Sequence, residues 1–76
     1  MTTLVIVHTR DPHRQSEALR AALGLTLRGA HVQVVVGELL TPLAIRAAET
    51  LRSFGHEVGV EMHAALAGAG AVEVWT

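Results

Sequence analysis

Apolar residues fall in runs without alternation at two places: Leu4-Val5-Ile6-Val7 leading into His8-Thr9, and His31-Val32-Gln33-Val34-Val35-Val36. Strands covered on both faces carry such runs, whereas half-exposed strands alternate. Between them the spacing becomes helical, with Leu19, Ala22, Leu23 and Leu27 at i, i+3, i+4 and i+8, Leu25 widening the stripe, and Arg14, Glu17 and Arg20 facing outward. Asp11-Pro12 opens this helix, because the carboxylate accepts from first-turn amides and proline has none to satisfy; Ser16 is the alternative start. Arg28-Gly29 ends it with a left-handed cap. Gly24, inside the helix, costs on the order of 1 kcal/mol of propensity and predicts a close approach to the sheet or to another subunit. Strand, loop, helix and strand make a parallel βαβ unit. Its functional edge lies just past the strands' carboxyl ends, at His8 to His13 and Gly37 to Thr41.

Thr41-Pro42 repeats the capping pair, and a second helix runs to about Ser53 with Leu43, Ala44, Ala47, Ala48 and Leu51 as its apolar positions. Phe54-Gly55 ends that helix. Glu57 to Met62 predicts a short third strand through Val58, Val60 and Met62, and Ala64 to Leu66 a helical turn or two before Gly68 and Gly70. Val72-Glu73-Val74-Trp75 closes the chain as a fourth strand at a sheet edge. The pattern predicts one domain over residues 1–76, a three-layer α/β/α fold with a mostly parallel sheet of about four strands, and leaves strand order open.

Composition sharpens this picture. A chain of 76 residues buries only roughly 60–65% of its unfolded surface, yet this one is 50% hydrophobic and 17% charged. The surplus predicts a homo-oligomer, and Trp75, expected to be exposed in a monomer, predicts a subunit contact. No apolar run is long enough to span a membrane and no basic segment leads into one, so a cytoplasmic location without membrane partners is expected. Net charge is -1, the arginines at 10, 14, 20, 28, 46 and 52 form no stripe, and aromatics are few, which argues against nucleic acid. The absence of cysteine excludes disulfides, thiolate metal sites and thiol nucleophiles, and the absence of lysine excludes Schiff-base chemistry.

The candidate chemistry sits at the first strand's carboxyl end, in His8, Asp11 and His13. Two imidazoles and a carboxylate offer a metal face, without the helical i, i+4 spacing of specific metal motifs. The alternatives are local roles, with Asp11 capping the helix, or an anion at the helix N-terminus beside Arg10 and Arg14. Glu38, Glu61 and His63 lie near the ends of the second and third strands and converge on the same edge. A Glu and His pair can move a proton, but no nucleophile assembly and no glycine-rich phosphate loop accompanies it, so no catalytic residue and no cofactor is assigned. His31 and His56 adjoin helix-ending glycines on the opposite edge and read as structural.

Val5-Ile6-Val7, Asp11-Pro12, the helix Glu17 to Leu25, Leu27-Arg28-Gly29-Ala30-His31-Val32, and Phe54-Gly55-His56-Glu57-Val58-Gly59-Val60 followed by Ala64-Ala65-Leu66 together resemble the DsrE-like proteins, small α/β subunits of sulfur relay. The resemblance covers most of the chain and rests on apolar spacing. It implies the fold, a cytoplasmic location and assembly as dimers, trimers or hexamers. It also places the persulfide-carrying position at or beside Glu61, where a carboxylate cannot hold sulfane sulfur. The implied protein is a non-catalytic subunit whose ligand site comprises His8, Asp11, His13, Glu38 and Glu61, with a cysteine-bearing protein as a partner. The rival expectation is a small metal- or anion-binding protein or enzyme using His8, His13, Glu61 and His63.

Overall fold

The computed structural model describes residues 2–60 and 70–76. Its elements run β1 (Thr2–Val7), α1 (Pro12–Thr26), β2 (His31–Val36), α2 (Pro42–Ser53), β3 (Glu57–Gly59) and β4 (Ala71–Trp75). The strands form one parallel sheet in the order β3-β2-β1-β4. Among the described residues, four strands, all parallel, and two helices match the expected α/β class. The third strand is short, as expected, and the fourth lies at an edge. β1 ends at Val7, so His8 and Thr9 belong to the turn that follows.

In-register residues of parallel strands share a face, so Val5 pairs with Val34 and Val7 with Val36 beneath the helices. That face carries the main core: Val5, Val7, Val32, Val34 and Val36 pack against Ala18, Leu19 and Ala22 of α1 and against Ala44 and Leu51 of α2. Both crossovers step in the same direction across the sheet, and the right-handed rule then places both helices on one side. Leu4, Ile6 and Val35 form a second buried cluster on the opposite face. The segment expected to supply the third layer, Ala64 to Leu66, lies outside the described residues.

Both helix ends follow from local chemistry. Asp11 and Thr41 are the N-caps, each followed by proline in the first turn. Gly29 (φ 85°) and Gly55 (φ 87°) take the left-handed conformation, and the amides of Ala30 and His56 reach back to the carbonyls of Leu25 and Leu51. Those are Schellman closures. Past this point α1 departs from its expected stripe. Leu27 is 89% exposed because it stands beyond the last helical turn, and the buried residues are Gln15, Ala18, Leu19 and Ala22. On α2, Leu43 is likewise exposed, leaving Ala44, Ala48 and Leu51 to face the sheet.

Gly24 makes no close approach to the sheet, since a Cβ built there meets nothing within 4 Å among the described residues. Trp75 is half-buried against the main core, with the Arg14 guanidinium carbon 5.4 Å from its ring centroid. Its expected exposure is thus reduced within the chain itself, by a cation over an aromatic face. The glycines give a test of opposite signs. Gly24→Ala is expected to stabilise by about 0.5–1 kcal/mol, and Gly29→Ala to destabilise by about 1–2 kcal/mol, in urea unfolding.

Candidate functional site: a cleft at the strand ends

Two turns, one after β1 and one after β2, build the carboxyl edge of the sheet. The amides of His8 and Thr9 both donate to the Trp75 carbonyl, at 2.8 and 3.1 Å, which fastens the first turn to the end of β4. Thr9 Oγ1 accepts from the Asp11 amide (3.1 Å), and Asp11 Oδ1 accepts from the amides of His13 (2.9 Å) and Arg14 (3.2 Å). The Asp11 carbonyl takes the Gln15 amide at 2.9 Å. With Pro12 lacking an amide, the opening turn of α1 is satisfied from within.

The second turn is held by α1. Gln15 is 2% exposed; its Nε2 donates to the Glu38 carbonyl (2.7 Å), and its Oε1 accepts from the Leu40 amide (2.9 Å). One residue on, the Ser16 and Thr41 hydroxyls lie 3.0 Å apart, and Thr41 Oγ1 accepts from the Ala44 amide as the cap of α2. A buried carboxamide satisfied at both ends leaves the loop little freedom to slide.

Between the turns opens a cleft of about 670 Å³, lined by His8, Thr9, Arg10, Gln15, Glu38 and Leu40 among others. His8, Arg10 and Glu38 are solvent-exposed. The cleft thus presents an imidazole, a guanidinium and a carboxylate above a fixed amide and a threonine. A smaller hollow of about 240 Å³ beside β3 includes Gln33 and Glu57, whose side chains are joined at 2.9 Å. Only the larger one sits where parallel sheets place ligands.

The structure distributes the expected site residues unequally. His8 and Glu38 line the cleft. Asp11 is spent on the amides of α1, and His13 is 82% exposed with its Nε2 3.0 Å from Glu17 Oε1; neither lines the cleft. Glu61 and His63 lie outside the described residues. Among the described residues, no three His, Cys, Asp or Glu side chains come close enough together to hold a metal ion. The first-turn amides expected to draw an anion are already bonded, and Arg14 Nε donates to the Thr76 carbonyl at 3.0 Å, away from the cleft. Arg10 remains as the cleft's cation.

Thr9 and Gln15 are the residues that sequence reasoning missed. Gln15 carried a signal, because it stands at i−3 and i−4 from Ala18 and Leu19, in phase with the buried stripe. At the opposite edge His56 Nδ1 accepts the Val32 amide (3.1 Å), and its ring stands 5.3 Å from that of His31. His56 thereby gives the start of β2 a partner just before its pairing with β3 begins at Gln33.

Comparison with protein-family models, with curated proteins and with solved structures finds no match to this chain.

The Gln15 anchor makes a specific prediction. Gln15→Leu leaves the Glu38 carbonyl and the Leu40 amide without their partner and is expected to cost about 1–3 kcal/mol. Hydrogen exchange followed by NMR should show the Leu40 amide losing protection, whereas the core amides of β1 change only with global stability.

Proposed function

We propose that this chain is a non-catalytic binding module on a DsrE-like α/β frame, and that its strand-end cleft takes a small polar ligand carrying an anionic group. The observation that carries the reading is the cleft itself. Side chains from three separate segments, His8 and Arg10 after β1, Gln15 on α1 and Glu38 after β2, converge on one opening whose far wall is pinned by the Gln15 carboxamide. Preorganisation of that kind lowers the ordering cost of binding. Arg10 offers a planar donor fork to a carboxylate or phosphate-like group, and Glu38 and His8 offer acceptors to a hydroxyl or amine on the same molecule.

Binding without turnover fits the residues on the cleft wall. With no cysteine in the chain, covalent sulfur transfer requires a thiol from elsewhere, so a link to sulfur relay implies a cysteine-bearing partner protein while this chain holds or presents the ligand. Support for that link is the resemblance in apolar spacing together with the parallel sheet; support for ligand binding is the cleft.

The test is an NMR titration of the uniformly labelled protein with inorganic phosphate, thiosulfate and succinate in turn. Saturable shifts confined to the amides of His8 to Arg10 and Glu38 to Leu40, lost in Arg10→Ala, are expected for at least one probe. Unsaturable or scattered shifts with all three would overturn the reading.

A further inference from the structure

Among the described residues β4 is an edge strand with no neighbour on its outer side. Glu73 is its one charge, it has neither lysine nor proline, and Val72 and Val74 are 50% and 57% exposed. The His8 amide bonds to the Trp75 carbonyl, so Trp75 turns its backbone polar groups toward β1. By the two-residue period Ala71 and Glu73 do the same, and Val72 and Val74 present theirs to the outer side, where no described strand lies. On the helix-bearing face lie Glu73 and Trp75, the latter under the Arg14 guanidinium. Among the described residues neither Glu73 nor Arg14 forms an ion pair.

We infer that a second copy of this chain docks on β4, antiparallel and edge to edge, about a two-fold axis normal to the sheet through Val74, so that Glu73 of each copy stands opposite the Trp75 and Arg14 of the other. The register follows from charge. An axis through Glu73 sets two carboxylates directly opposite each other, which is unfavourable. An axis through Val72 carries Trp75 and Arg14 past the end of the partner strand. The axis through Val74 pairs the outward backbone groups of Val74 with their symmetry mates and sets the Val72 carbonyl opposite the Thr76 amide, the Thr76 carbonyl being held by Arg14. It also puts each carboxylate beside the Arg14 guanidinium, which stands over Trp75 and, among the described residues, donates to Thr76 through Nε. Cross-strand neighbours in that position stand about 4.5–5.5 Å apart at Cβ, within reach of Glu73 for Arg14. The product is a continuous eight-stranded sheet with both helical layers on one side. This surface is separate from the strand-end cleft and does not rest on the binding proposal.

Sedimentation equilibrium of the whole chain tests it, with circular dichroism confirming that each variant is folded. The unaltered chain is expected at twice its mass of 8.1 kDa. Glu73→Arg sets Arg against Arg at both contacts and Arg14→Glu sets Glu against Glu, so each variant alone is expected as a monomer. An equimolar mixture of the two restores both contacts, and a heterodimer is expected. A monomeric unaltered chain would overturn the inference. So would an oligomer indifferent to both substitutions, or a mixture that stays monomeric.

Discussion

The Gln15 carboxamide is the constraint on which the candidate site depends. It is fully engaged, donating to one backbone group of the β2–α2 loop and accepting from another, and it sits where water scarcely reaches. A buried polar group in that state is costly to displace, because moving the loop strands the carboxamide and two backbone groups together. The loop consequently behaves as part of α1. The cleft wall takes its position from Gln15, and Thr41, the cap of α2, is held by the neighbouring Ser16 hydroxyl of the same helix as Gln15.

The electrostatics of the same edge are set by what α1 does to itself. A helix opening beside the carboxyl end of a strand is ordinarily an anion site, because its first amides are free and its dipole is positive there. Here Asp11 occupies that position with a carboxylate of its own, and Pro12 removes one of the donors. In the proposed binding reading, recognition would fall to side chains rather than to backbone, and to Arg10 in particular, since Arg14 is drawn toward Trp75 and the Thr76 carbonyl. One arginine, one imidazole and one carboxylate would then favour a molecule of mixed charge over a simple phosphate.

Much of the fold is legible along the chain because its elements are bounded by strong local signals. Asp11-Pro12 and Thr41-Pro42 mark both helix starts, and Gly29 and Gly55 mark both ends. The buried runs of β1 and β2 similarly announce strands covered on two sides. Burial within the helices is less legible. Leu27 looks like core by spacing but stands past the final turn, whereas Gln15 looks like surface by polarity but lies in the buried phase. Sequence spacing reports phase, and polarity reports only the average habit of a residue type. For the site, topology identifies His8 and Glu38, since both follow strand ends. Asp11 and His13 adjoin them in sequence alone, and the helix turn directs them elsewhere.

The apolar excess of the chain, read from composition as interface, resolves into unlike cases. Leu27 and Phe54 lie at helix ends, and Leu43 and Ile45 lie on α2, where isolated exposed apolar side chains are common on any protein surface. Val72 and Val74 are different in kind. They couple exposed apolar side chains to a row of backbone donors and acceptors that no described residue pairs, and desolvating the former by anything other than a strand leaves the latter unsatisfied. Only a partner that brings its own backbone edge removes both costs at once. The identical edge of a second copy would meet that requirement, and in the dimer we infer, Glu73 and Arg14 set where along the edge it settles.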